Sequence, residues 1–339
     1  MNARPLATLI CGALSLGVSL LATETPSLPV PHLEATAAMR AFLSQHEIHP
    51  ELPPLLRMQR ILDGLYQGER PFAYSARETF SAAEAFQHKR GNCVSFAMLF
   101  VALAREVGLD ARFNQIDYAP VWEEIGGILV ETSHINAIVT VAGKQYVVEG
   151  MPEYAAVAAR HRNPVPDERV LSHYYNNSGL LALALHDTEQ AKRLIDQALA
   201  IDPSNGIAWQ NLGLYHFRHG ERHAGEQALL RAVEHSPLSA SVCYLLAEFY
   251  EKTSKPSEAE KYAKLGSKRS KKNPFFHYKK SQDALAAGDR SKSIKHLEKA
   301  LSLLPDYPRF QAELAQLKSG LKNQSKLAHQ TTPLHANEI

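Results

Sequence analysis

Small residues and prolines return every 34 positions across residues 172–322, which constrains the fold more than any other feature of the chain. Ala198, Ala232, Gly266 and Ala300 are spaced by 34, as are Gly179, Gly213, Ala247 and Ser281. Pro203, Pro237 and Pro305 keep the same phase, with Lys271 in the remaining slot. Small residues at a fixed phase let two antiparallel helices approach closely, and a proline just past the second helix stops it. Gly220 and Gly288 mark turns between helices. A unit of this size cannot bury its apolar face alone, so stacked neighbours must supply the core. Four units are read, with residues 307–321 as a terminal capping helix over the last exposed face.

Residues 33–160 lack this period and read as mixed α and β. Positions 55–66 have the pattern of an amphipathic helix, with Leu56, Ile61, Leu62 and Leu65 as its apolar set. Ser81 and Glu84 stand in capping-box spacing at the start of another helix. From Val94 to Ala104 the chain is apolar almost all round, which predicts a helix over 93–107 buried against other elements, ended by Gly108. Strands are predicted at 111–116, 134–141 and 145–149, the last two joined as a hairpin at Ala142-Gly143-Lys144.

Two segments of this region carry chemistry. Arg90-Gly91-Asn92-Cys93-Val94-Ser95-Phe96 reads as a loop breaking into the buried helix, with a cysteine in its first turn. Ser133-His134-Ile135-Asn136 reads as a histidine opening a strand. A thiol becomes a nucleophile at neutral pH when its pKa is lowered and a base stands nearby. A helix N-terminus stabilises the thiolate, and an imidazole is the base. The competing reading makes Cys93 a packing residue at the head of an apolar helix and His134 an ordinary strand residue. Asn136 lies two residues beyond His134 and so on the same strand face.

The chain opens with Arg4 and an uncharged, mostly apolar run over 6–22. This is read as a secretory signal, with an uncleaved anchor as the alternative, so the protein is expected to be exported. Residues 23–32 read as a Pro-rich linker and 323–339 as a flexible tail. Of the three cysteines, Cys11 lies inside the apolar run and Cys243 in an apolar helical stretch, which leaves Cys93 without a disulfide framework. The net charge of +2 points to no partner, but residues 251–326 hold 18 Lys or Arg against 8 Asp or Glu. That excess reads as a solvated helical face or as a surface for an acidic partner. His216, His219 and His223 straddle Gly220 and lack the one-face spacing of a helical metal motif. No phosphate loop, dinucleotide fingerprint or CxxC pair occurs, so neither metal nor cofactor is expected, and the lysine-rich run 264–272 has too few aromatics for a nucleic-acid surface.

The repeats resemble the tetratricopeptide family, best in the unit with Trp209, Leu212, Gly213, Ala232 and Pro237. Residues 50–155 resemble the transglutaminase-like superfamily, a papain-related α+β fold. The resemblance rests on the helix at 55–66, Ala83-Glu84-Ala85-Phe86 ahead of Arg90-Gly91-Asn92-Cys93, the buried helix ending Val107-Gly108-Leu109-Asp110-Ala111-Arg112, and the hairpin. It implies a domain over 33–160 with a triad of Cys93, His134 and an acid near the end of the next strand. That position holds Glu149, where the family usually has aspartate. The implied activity is hydrolysis or acyl transfer at an amide bond, with the repeats binding a protein or peptide. The departure at Glu149 keeps a second reading open, in which the domain is inactive and the repeats act as an interaction scaffold.

Overall fold

The computed structural model describes residues 33–330, save 68–69, 77, 117–121, 126–127, 132–133, 152–157, 159–161 and 306. The expected signal at 1–22 and linker at 23–32 therefore lie outside the described residues.

The thiol-bearing region begins with α1 (Ala37–Gln45), capped by the Thr36 side chain, and α2 (Pro54–Tyr66), which starts on a proline at its first turn. Ile61 and Leu65 of α2 are fully buried, while Leu56 and Leu62 are half-buried. A short strand β1 (Ala73–Tyr74) pairs in parallel with β2 (Arg90–Gly91). Between them α3 (Ala82–His88) starts with the expected capping box, Ser81 and Glu84 each receiving the other's backbone N–H. The next helix, α4 (Cys93–Glu106), is enclosed by α1, α2, α3 and the sheet. Its burial on every side explains why the run is apolar but for Ser95, and Met98, Leu99, Phe100 and Leu103 have no exposed surface. Each such side chain contributes about 1.5–3 kcal/mol on transfer from water.

The main sheet is built from β3 (Asp110–Ile116), β6 (His134–Val141), β7 (Lys144–Val148) and β8 (Pro164–Val165), in the antiparallel order β7-β6-β3-β8. A separate hairpin, β4 (Trp122–Ile125) with β5 (Ile128–Glu131), lies between β3 and β6 in the chain. The β6–β7 turn at Ala142 and Gly143 has positive φ at both positions, the geometry of a two-residue hairpin. One expectation needs correction: β7 runs from Lys144 to Val148, so Glu149 lies just beyond the strand rather than at its end. Its side chain is drawn instead into a cluster of hydrogen-bond donors described below.

Four helix pairs follow: α5 (Asp167–Ala184) with α6 (Thr188–Ile201), α7 (Gly206–Arg218) with α8 (Arg222–His235), α9 (Ser241–Lys252) with α10 (Pro256–Ser270), and α11 (Pro274–Ala286) with α12 (Arg290–Leu303). The second helices start 34 residues apart each time. Pro203, Pro237 and Pro305 each stand two residues past the end of a second helix. Ala198, Ala232 and Ala300 are wholly buried, and a Cβ at Gly213 would come within 2.8 Å of Leu229. The small residues therefore sit where the paired helices touch. The last helix, α13 (Pro308–Gln330), is longer than the capping helix expected at 307–321 and takes in the first part of the expected tail. No proline interrupts the sequence between Pro308 and Pro333. Among the described residues no helix is long and apolar enough to cross a membrane.

The repeats pack against the sheet-bearing region at several points. α5 contacts α4 and β3, and α9 approaches β5. Arg105 of α4 makes a forked pair with Asp167 at the head of α5, at 2.7 and 2.9 Å. Ile116, at the end of β3, shares an apolar cluster with Phe275, Leu304, Tyr307 and Phe310 of the last repeat and its cap.

Candidate active site

Cys93 is the first residue of α4, and the chain leading to it is held on both sides. The Asn92 side chain caps the helix: its Oδ1 accepts from the Ser95 N–H at 3.1 Å, and its Nδ2 donates to Thr79 Oγ1 at 2.7 Å. The Ser95 hydroxyl oxygen accepts the Phe80 N–H at 2.7 Å, which ties the preceding loop to the same helical turn. Gly91 has φ +154°, and an added Cβ would stand 2.4 Å from Ser95 Cβ. Only glycine fits there, for both backbone and space. Gly91→Ala is accordingly expected to destabilise the protein by about 3 kcal/mol, from strain plus overpacking. Denaturant unfolding checks this, and a loss under about 0.5 kcal/mol, the size of an ordinary surface substitution, would show that the turn relaxes freely.

His134 opens β6 and pairs with Ile116 of β3. Its Nε2 lies 3.0 and 2.8 Å from the two carboxylate oxygens of Glu149. The same ring acts on the Cys93 thiol through its charge and hydrogen-bonding capacity. With Nε2 donating to Glu149, Nδ1 is left to face the thiol. The hairpin register explains how Glu149 arrives. Val141 pairs with Lys144 and Ala137 with Val148, so the next step places Glu149 opposite Asn136, with His134 on the diagonal. A diagonal neighbour is within reach of a long side chain. Gly150 lets the chain close over α4, since a Cβ there would meet the Phe96 ring at 2.6 Å.

Glu149 also accepts the Met151 N–H at 2.9 Å and the Asn136 Nδ2–H at 3.0 Å. Asn136 thus serves the carboxylate rather than the thiol. Tyr66, at the end of α2, donates to the Gly150 carbonyl at 3.2 Å. Burial and then the nearby Glu149 charge push its phenol well above the usual range. Nothing in the sequence near Cys93 or His134 singled out Tyr66, because its place depends on how α2 packs.

The electrostatics of Cys93 and His134 are matched. Burial disfavours the thiolate, but the His134 hydrogen bond and charge, with the Ile135 N–H, outweigh it, so the thiol sits below its ordinary range. Burial likewise disfavours the imidazolium, yet the hydrogen bonds to Cys93 and Glu149 push His134 up to about 9. Both shifts favour a thiolate–imidazolium pair at neutral pH. His134 is 2 % exposed, and Cys93 is half-buried at the head of α4. Cys243, by contrast, is fully buried in the third repeat pair. Elsewhere His216 pairs with Glu221, and His219 stacks on Tyr215.

A model of the transglutaminase-like superfamily matches residues 47–148, and tetratricopeptide-repeat models match 176–224 and 211–270. The chain carries a transglutaminase-like core domain followed by tetratricopeptide repeats. The domain match includes Cys93 and His134 and stops one residue short of Glu149. No curated protein matches the chain. Among solved structures it is similar to MamA, at 18% identity over 39% of this chain and 77% of that one, with a TM-score of 0.28. It is also similar to Pseudomonas aeruginosa pilF, at 23% identity over 46% and 71%, TM-score 0.28. YrrB, a TPR protein with an unusual peptide-binding site, is 15% identical over 45% and 79%, TM-score 0.27. The tetratricopeptide repeats make the second part of this chain a protein-interaction region.

Proposed function

We propose that this protein is an exported, cysteine-dependent amide hydrolase or acyltransferase whose repeats bind a protein or peptide substrate. The contact that carries the reading is His134 held between the Cys93 sulfur and both oxygens of Glu149. In this reading the Cys93 thiolate attacks an amide carbonyl and forms the C–S bond. The imidazolium of His134 gives its proton to the departing amine as the C–N bond breaks. The resulting thioester passes its acyl group to water or to a second amine, with His134 taking the acceptor's proton. Glu149 keeps the ring oriented and stabilises its charge. The Cys93 N–H at the head of α4 is a donor for the oxyanion. The apolar run 6–22 supports export. The packing of Ile116, the strand partner of His134, against Phe275 and Tyr307 sets the last repeat close to this end of the sheet. That nearness supports a repeat region that presents substrate to the thiol.

The test is the pH dependence of iodoacetamide alkylation, followed on the Cys93 peptide, in wild type and His134→Ala. A midpoint below the ordinary thiol range that rises to about 8.5 in the variant is expected. An ordinary midpoint, indifferent to His134, would move the protein to the scaffold reading.

A further inference from the structure

The Glu149 carboxylate is the end of a longer buried chain. Asn114 on β3 and Asn136 on β6 are direct partners across the sheet, and neither has exposed surface. A buried amide is costly unless its donors and acceptors are met, so two of them facing each other in a sheet core need a reason. Their contacts run in one direction. The Asn163 backbone N–H donates to Asn114 Oδ1 at 2.6 Å, Asn114 Nδ2 donates to Asn136 Oδ1 at 2.7 Å, and Asn136 Nδ2 donates to Glu149 Oε2 at 3.0 Å.

The sense of this chain is not arbitrary. A backbone N–H only donates, which turns the Asn114 oxygen toward Asn163 and its NH2 toward Asn136. Asn136 must then accept from Asn114 and present its own NH2 to Glu149. An ionised carboxylate only accepts, so both ends agree. Asn163 is itself fixed, because its carbonyl accepts the Gln115 N–H at 3.0 Å just before β8.

We infer that Asn114 and Asn136 are positioning residues of the proposed site: they form a one-way hydrogen-bond relay from the Asn163 peptide that keeps the Glu149 carboxylate aimed at His134. The inference rests on the functional reading only for its consequence at Cys93; its effect on His134 stands independently. Among the described residues the titratable groups around the ring are Cys93 of α4, Glu149 beyond β7, and Tyr66 of α2 close to that carboxylate.

Two variants of the full chain test it. Asn114→Asp keeps the side-chain shape. The new carboxylate still accepts from Asn163 but now needs a donor from Asn136. That turns the Asn136 amide over and puts its oxygen against Glu149. Asn114→Leu removes the donor without adding charge, so agreement between the two excludes a simple charge effect. Titration of the His134 ring by NMR is expected to show its pKa falling by about one unit in both, a tenfold loss of imidazolium at fixed pH above the midpoint. Both variants should lower the thermal midpoint, since each disturbs a fully buried contact, and either one that still folds is decisive. An unmoved His134 titration in folded Asn114→Asp protein overturns the relay. Cys93 alkylation separates the two claims. If the wild-type thiol is ordinary while the His134 titration still falls, the relay stands and the catalytic reading fails. If the wild-type thiol is activated but His134 is unmoved by either variant, the catalytic reading stands and the relay fails.

Discussion

Cys93→Ala is expected to abolish turnover, by about a thousandfold or more, while leaving the thermal midpoint nearly in place. The size follows from the proposed chemistry, in which no other group can form the thioester. The small stability change follows from position. Cys93 is half-buried at the first turn of α4, so removing its sulfur costs about 1 kcal/mol of packing. The His134–Glu149 pair survives the change, with both side chains still buried and still hydrogen-bonded. The measurement pairs thermal unfolding with mass-spectrometric turnover of a peptide-amide library. A variant that unfolds would make Cys93 a core residue. Undiminished turnover would place the chemistry elsewhere.

Much of this architecture was legible because it depends on local patterns. The 34-residue period sets helix against helix at Ala198, Ala232 and Ala300, and the second helices keep that spacing. The run from Val94 to Ala104 could be read as a buried helix because no face of it is polar. The β6–β7 turn was readable at Ala142-Gly143-Lys144, and the register that follows from a two-residue turn carries Glu149 to a diagonal from His134. What stayed hidden depends on contacts distant in the chain. Asn114 stands 22 residues from Asn136, and Asn163 a further 49 from Asn114, so the chain of amides exists only once β3, β6 and the approach to β8 are side by side. Tyr66 reaches Gly150 across 84 residues. The β4–β5 hairpin and the two-residue strands β1, β2 and β8 are too short for a periodic signal.

Acidification should loosen the junction between the two parts of the chain, and His173 should be the cause. This histidine lies on α5, is 4 % exposed, and meets Gln115 Oε1 of β3 through its Nε2 at 3.2 Å. The glutamine oxygen only accepts, so Nε2 carries a proton. Burial, and then the Arg169 guanidinium, push its pKa down to about 3, with Asp202 offsetting only part of this. The sign follows directly. Between pH 6.5 and 3 the unfolded chain takes up a proton at this position and the folded protein does not, so stability falls as pH falls through that window. The loss reaches about 2 kcal/mol by pH 5 and has an upper limit of about 5 kcal/mol near pH 3. His173→Gln retains a neutral donor for Gln115 and has nothing to titrate. Thermal midpoints of wild type and variant should therefore agree at pH 8 and separate below pH 6.5, with the variant the more acid-resistant. Other titrating groups act on both proteins and cancel in the difference. Parallel curves would mean that protonated His173 is accommodated without opening the contact between α5 and β3.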